Sequence, residues 1–297
     1  MKIAPTWISR SVTTKILGNN QMGRTYTRYN DWKLSTQYIT VAGVNTAIHT
    51  DATSTARNIL LFVHGIGGDY HGMVPLAYCL KDTYRVVFVD LPGHGKTAMP
   101  RSDSLNFLEQ WSSQLLEALD HPVDMVIAHS FGCFGAQFMQ APSVCYINPP
   151  LSLAPAVLNY SFRLYSIRHL ASLIYNVRPY ALWRGQQLVH YLSPIVRARI
   201  AWVTDATKIS RNQFLFHSRQ AHQSTDGRKL LQPDHIDRAG SSFVLSEFDK
   251  IATISPEQEH WITTHPVLRL PYDHLSILES PEVIADTIRS QLTSSAV

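Results

Sequence analysis

A chain of 297 residues with 45% apolar and 16% charged residues is too apolar for a disordered polymer and long enough for one large α/β core with an insertion. The net charge of +4 conceals an asymmetry: residues 151 to 240 hold twelve Lys and Arg against four Asp and Glu, a net of +8, which leaves the remainder at −4. Cys79, Cys133 and Cys145 fall on expected core helices and a strand, so they read as buried reduced thiols with no disulfide framework.

At the N-terminus, Lys2, Arg10, Lys15, Arg24 and Arg28 precede the first acid, Asp31. The segment lacks the apolar core of about 7–15 residues that a secretory signal requires, and a cytoplasmic location is expected. A hairpin is expected across residues 36 to 50, from Tyr38-Ile39-Thr40-Val41 and Asn45-Thr46-Ala47-Ile48.

Residues 58 to 64 contain the unbroken apolar run Ile59-Leu60-Leu61-Phe62-Val63, the pattern of a fully buried strand. The loop after it, His64-Gly65-Ile66-Gly67-Gly68, can bring bare backbone N–H groups close to a ligand. Such a loop suits an oxyanion hole, for which the backbone N–H groups of Ile66 and Phe131 are the expected donors, with Gly65 beside the substrate. A phosphate loop fits poorly, because no G-x-x-x-x-G-K-[ST] pattern occurs. A helix follows at residues 73 to 82, then a strand at 84 to 90 that runs into the turn Asp90-Leu91-Pro92-Gly93-His94-Gly95-Lys96-Thr97, and then a helix at 105 to 120.

The next segment is Val126-Ile127-Ala128-His129-Ser130-Phe131-Gly132. A strand at 123 to 129 meets a serine flanked by small residues and then a helix at 131 to 141. This is how a G-x-S-x-G elbow displays a nucleophile on a sharp, strained turn, with Ala128 in place of the first glycine. His129 is expected to pack beside the site and to line it. Cys133 lies one turn inside the following helix, on a side that would not face the site. A strand at 143 to 148 completes this half.

HGIGGD, DLPGHGKT and AHSFG, in this order and at this spacing, resemble the α/β-hydrolase family. The resemblance runs from about residue 36 to the C-terminus, apart from the middle segment, and says little about the substrate. It implies an α/β fold with a mostly parallel sheet, helices on both faces and an inserted helical cap. The corresponding division is a first core part with an N-terminal extension at 1–150, a cap at 151–240 and a second core part at 241–297. Within 151–240 the strand-helix rhythm stops, and Pro155, Pro179 and Pro194 punctuate apolar residues at helical spacing, such as Phe162, Tyr165, His169 and Leu173. Its basic character suits an anionic substrate or peripheral contact with an anionic lipid surface, or else a solvated outer face.

The resemblance also directs the search for a base and an acid, since Ser130 needs both and the family runs serine, acid, histidine in chain order. A strand at 241 to 248 puts Asp249 at its end, and Ser255-Pro256-Glu257-Gln258 is a capping box opening a helix over 255 to 262. Val267-Leu268-Arg269-Leu270-Pro271 reads as the last strand, His274 follows it, and Ser280-Pro281-Glu282 opens a helix to 292. The implied triad is Ser130, Asp249 and His274. His260 and His265 are the alternatives for the base, and Glu247 and Asp273 lie near the acid.

The longest uncharged run, Met125 to Phe162, is broken by His129, Gly132, Asn148 and Pro149-Pro150, so no membrane span is expected. No metal is expected, because the chain has neither H-E-x-x-H nor two cysteines two to four residues apart. No cofactor is implied, and nucleic-acid binding has charge but no motif to support it. The expected partner is a small ester or lactone with a hydrophobic acyl or alcohol group. Serine at the elbow argues against the haloalkane dehalogenase and epoxide hydrolase branches, which attack through a carboxylate. Thioester, amide and carbon-carbon cleavage stay open, as does a binding protein with an idle triad.

Overall fold

The computed structural model describes residues 28–66, 68–100, 105–153, 231, 236–237, 240–249 and 251–294. Eight strands form one sheet: β1 (Ser35–Val41), β2 (Val44–Thr50), β3 (Ile59–Val63), β4 (Arg85–Val89), β5 (Met125–His129), β6 (Ser143–Ile147), β8 (Ser241–Ser246) and β10 (Val267–Leu270), in the order β1-β2-β4-β3-β5-β6-β8-β10. The β1-β2 hairpin closes through Ala42 and Gly43, both at positive φ (48° and 76°), the geometry that matches strand twist in a two-residue turn. β2 runs antiparallel to β1 and β4, and every other pair is parallel. A minor pair, β7 (Ser152–Leu153) with β9 (Ala252–Thr253), was not legible in the sequence.

Period-two alternation along buried strands assigns side chains to the two faces. Leu61, Val63, Val126 and Ala128 pack on one side with Leu108, Trp111 and Leu115 of α2 (Leu105–Leu115), with α3 (Gly132–Ala136), and with Ile262 of α4 (Pro256–Ile262). Leu60, Phe62, Met125 and Ile127 pack on the other with Leu76 and Leu80 of α1 (Val74–Leu80), with Ile277 of α5 (Ser276–Glu279), and with Ile284 and Ile288 of α6 (Pro281–Ser294). Both faces are therefore covered, as parallel strands require. Trp111 adds a polar pin across the first layer, its Nε1–H donating to Thr46 Oγ1 at 3.0 Å.

Two helices are shorter than their apolar periodicity suggests. α2 stops at Leu115 rather than residue 120, with the Ala118 N–H shared between the Gln114 and Leu115 carbonyls. α3 stops at Ala136 rather than residue 141. Phe138 and Met139 then bond three residues back, and the Gln137 side chain caps the Phe134 carbonyl. In both, the last turn tightens into i→i+3 geometry, which pattern alone does not reveal. The capping box at Ser255 and Gln258 is formed in both directions, at 3.2 and 2.8 Å. Most of the expected cap, residues 154–230, lies outside the described residues, as does Gly67.

The loops at the carboxyl ends of β3, β4, β5, β6, β8 and β10 carry His64 to Ile66, Asp90, Ser130, Asn148, Asp249 and His274 respectively. That end of a parallel sheet is where ligands bind in open α/β folds.

Candidate active site

Ser130 follows β5 at φ +51°, a left-handed conformation that non-glycine residues rarely adopt. Its N–H is held by the Ile147 carbonyl at the end of β6 (2.9 Å), and its own carbonyl takes the Cys133 N–H (2.9 Å), so the chain turns abruptly from strand into α3. The tightest point of this turn is Gly132. A Cβ there would lie 2.5 Å from the His64 carbonyl oxygen and 2.7 Å from that of Val63, both rigid backbone atoms. Ala128, by contrast, is an ordinary residue of β5 with its methyl buried in the core, so the departure from glycine costs little there.

Three residues that are far apart in the chain form one hydrogen-bonded line. His274 Nε2 lies 2.7 Å from Ser130 Oγ, and His274 Nδ1 lies 2.7 Å from Asp249 Oδ2. A carboxylate only accepts, so the imidazole carries its proton on Nδ1 and presents the Nε2 lone pair to the Ser130 hydroxyl. Asp249 stands three residues beyond β8, in the loop rather than at the strand's last position. Its other oxygen, Oδ1, accepts from the N–H groups of Ile251 (2.8 Å) and Ala252 (3.0 Å). Burial by itself raises the carboxyl pKa, but the hydrogen bond and charge of His274 with these two backbone donors outweigh it and hold Asp249 below its ordinary value. The other candidates do not join this line: His260 is in α4, His265 lies before β10 within 3.1 Å of Asp237, Glu247 is in the turn after β8, and Asp273 is in the loop just before His274.

Gly65 packs against the elbow, where a methyl would lie 3.2 Å from Ser130 Cβ and 3.3 Å from His129 Nδ1. His64 fixes this loop. Its Nδ1–H donates to the Gly65 carbonyl (2.7 Å), and its Nε2 accepts the Leu91 N–H (3.0 Å). The Gly65 carbonyl and the Ile66 N–H belong to one planar trans peptide and point in opposite directions, so His64 also sets the direction of the Ile66 N–H. Among the described residues neither the Ile66 nor the Phe131 N–H meets an acceptor. Burial drives the His64 pKa down despite Asp90 nearby, which keeps the ring neutral and Nε2 free to accept.

Asp90 anchors the neighbouring loop. Fully buried at the end of β4, it accepts from His49 Nε2 (3.0 Å) and from the N–H groups of Tyr70 (2.9 Å) and Lys96 (2.8 Å). The DLPGHG turn is therefore a hub joining β2, the loop after β3 and the loop after β4. Its signal in the sequence is an acid closing the apolar run Val86-Val87-Phe88-Val89.

His129 is buried and neutral, its pKa pushed down to about 3 by desolvation and by the nearby His274. Its Nε2 points to the His274 carbonyl at 3.0 Å. The Cys133 thiol is wholly buried, its pKa raised by that burial, and it donates to the Ala128 carbonyl at 3.2 Å, turned away from any nucleophilic role. Asn148 and Ser276 were not anticipated. Asn148 sits at φ +48° after β6 and bonds to the His274 carbonyl and to Ser276 Oγ. An asparagine that ends a buried strand ahead of Pro-Pro is the one sequence feature that points to it.

Among the described residues, no group of three or more His, Cys, Asp or Glu is disposed to hold a metal ion, and no helix is long and apolar enough to cross a membrane.

Comparison with known proteins places this arrangement in context. The model of the family described as "Alpha/beta hydrolase family" matches residues 60–287. The Arabidopsis thaliana protein named "Probable lysophospholipase BODYGUARD 4" is 31% identical over 115 residues, which are 34% of this chain and 27% of that protein. The chain thus spans only about a quarter of the length of that curated relative. Among solved structures, an enol-lactonase from Burkholderia xenovorans superposes with a TM-score of 0.63 at 18% identity, covering 86% of this chain and 100% of that one. A haloalkane dehalogenase from Agrobacterium tumefaciens superposes with a TM-score of 0.67 at 14% identity, covering 90% and 99%. At such identities the superpositions speak for the fold alone. The family match over most of the chain, together with the eight-stranded sheet, shows that this protein belongs to the alpha/beta hydrolase family.

Proposed function

We propose that this protein is a serine hydrolase that cleaves carboxylic esters through an acyl-enzyme on Ser130. The observation that carries the reading is the line Ser130 Oγ, His274 Nε2, His274 Nδ1 and Asp249 Oδ2, with 2.7 Å at each junction. In this reading His274 takes the Ser130 proton as Oγ bonds to the ester carbon, and the carbonyl electron pair moves to oxygen. The Ile66 and Phe131 N–H groups receive that oxyanion; donors of this kind typically supply ~3 kcal/mol or more. The tetrahedral species expels the alcohol, which takes the proton from the imidazolium. Water then attacks the acyl group, His274 takes its proton, and Ser130 leaves with the proton returned. Asp249, held as a carboxylate, keeps the imidazole in one tautomer and stabilises its cation.

An apolar acyl or alcohol group, in an ester or a lactone, is the substrate class we favour. Ile66, Phe248, Ile251 and Leu275, at 38 to 60% exposure, stand on the loops that bear the oxyanion donor, the acid and the base. We further propose that residues 151–240 form the cap over this rim, and that their net charge of +8 allows peripheral contact with anionic lipid.

The test is hydrolysis of p-nitrophenyl esters from acetate to palmitate, with a lactone added, by the native chain and by Ser130→Ala. Turnover that falls at least ~1,000-fold in the variant is expected. Equal turnover by the two proteins would overturn the mechanism. A native protein that is neither turned over on any member nor labelled at Ser130 by a fluorophosphonate is better read as a binding protein.

A further inference from the structure

His274 hangs on a loop after β10, a four-residue strand that among the described residues ends the sheet and has a strand partner on one side only. Yet its imidazole must meet Ser130 and Asp249 at once, a geometry in which an ångström matters. The restraint acts on its backbone. The His274 carbonyl oxygen has two lone pairs, and two buried side chains fill them: His129 Nε2–H from β5 and Asn148 Nδ2–H from the end of β6, each at 3.0 Å.

The hydrogen-bond pattern fixes which atoms these are. Asn148 Oδ1 accepts the Ser246 N–H at 2.9 Å, and a backbone N–H can only donate, so the other terminal atom is the nitrogen. That nitrogen donates to the His274 carbonyl and to Ser276 Oγ, which lies 3.0 Å away in a fully buried residue. A carbonyl can only accept, so His129 carries its proton on Nε2. Asn148 is itself fixed by its N–H to the Val244 carbonyl at 2.8 Å. It therefore clamps the stem of the acid loop at Ser246, three residues before Asp249, and the stem of the base loop at His274. His129, kept uncharged by burial, adds the second donor without repelling the imidazolium that forms beside it, 5.2 Å away ring to ring.

We propose that Asn148 and His129 are positioning residues: through the His274 carbonyl they hold the base within reach of Ser130 and Asp249, and neither touches the substrate. This rests on the proposed serine mechanism. It gives His129 a role other than lining the substrate site, and it assigns one to Asn148.

The decisive variant is Asn148→Asp. Aspartate tolerates the left-handed backbone and keeps an acceptor for the Ser246 N–H, but it has no N–H for the His274 carbonyl. With p-nitrophenyl butyrate, Asn148→Asp and His129→Ala are each expected to lower kcat roughly 10- to 100-fold. KM should stay within about twofold, because no substrate contact is lost. Both donors act on one oxygen, so the double variant is expected to lose clearly less than the product of the two single losses. Native kcat in Asn148→Asp, or losses that appear in KM or multiply in the double variant, would overturn the proposal. If Asn148→Asp fails to show a native-like thermal transition, His129→Ala decides, and a native kcat there sinks the idea. The rate of fluorophosphonate labelling of Ser130 serves in place of kcat should the butyrate ester be a poor substrate. Ser130→Ala, measured alongside, separates the two levels: turnover unchanged in that variant removes the mechanism itself, whereas its loss with unaffected Asn148 and His129 variants removes only the positioning.

Discussion

The loop that presents Ser130 and the loop that presents His274 reach one another across 144 residues of chain, and they are held in place by different means. Ser130 is placed by backbone geometry: a left-handed φ of 51°, a glycine at 132 that no larger residue can replace without a clash, and hydrogen bonds to the adjacent β6. The turn itself is local, and it fits against backbone atoms of β6 and of the end of β3. His274 sits in a short turn in which Asp273 accepts from the N–H groups of Leu275 and Ser276, and its loop is fixed further by side chains from β5 and β6 and by the carboxylate after β8. The comparison teaches that a serine can be presented by a strained turn, while a histidine arriving after the last strand takes much of its placement from distant side chains.

Breaking the His274 side should have the largest effect. Asp249→Asn keeps the shape but removes the charge and lets the imidazole take the wrong tautomer. A fall in kcat on the order of 10³–10⁴-fold is expected, measured on the best p-nitrophenyl ester. A loss below tenfold would mean that another acid serves His274. Breaking the turn at Ser130 should show first in stability: Gly132→Ala forces a methyl onto the His64 and Val63 carbonyls and is expected to cost about 1–3 kcal/mol in urea unfolding. Gly68→Ala, with only the Gly65 carbonyl at an ordinary 3.7 Å, is the matched control for a small change.

A third prediction sharpens the contrast through pH. His64 and His129 are buried with pKa values below the ordinary histidine value of 6.5, His129 at about 3. Below about pH 6.5 the unfolded chain binds protons at these positions that the folded chain refuses, at His129 down to about pH 3, so folding stability is full above pH 6.5 and falls as pH drops below it. The urea midpoint should therefore be lower at pH 5 than at pH 7.5, and His129→Ala should flatten the slope. The depressed Asp249 carboxyl acts in the same sense but only below its ordinary value of 3.8, because its contribution is present above that pH and lost as the folded form is protonated. The smallest effect is the strain at Ser130. Ser130→Gly relieves the positive φ and Ser130→Ala does not, so the glycine variant should be more stable by about 0.5–1 kcal/mol. Equal stabilities would show that the elbow stores no backbone strain.

Much of the fold was legible because buried parallel strands write themselves as short apolar runs. Ile59–Val63, Arg85–Val89, Met125–His129 and Ser143–Ile147 lie where those runs lie. Helix ends were less legible, since α2 and α3 tighten in their last turns through hydrogen bonds that apolar spacing does not encode. Ser130 and the His64-Gly65-Ile66 loop stood out because small residues beside a strand have a steric cause readable in one dimension. Asp249 and His274 could be located only through the family's order of elements, and Asp90 stands in the sequence as the first residue of the DLPGHGKT motif, with nothing to show that it gathers donors from three segments.

The sequence by itself determined which strands are buried, where the chain turns sharply, and that a serine sits at one such turn, because these depend on residue volumes and backbone freedom over a few neighbours. The family resemblance pointed to His274 and Asp249, but only the tertiary structure brought His274 to within 2.7 Å of both Asp249 and Ser130, and only it showed that Asn148 and His129 hold the His274 carbonyl. Hydrogen bonds join atoms within about 3 Å whatever their separation in the chain, and no local pattern records a contact that the packing of the sheet creates.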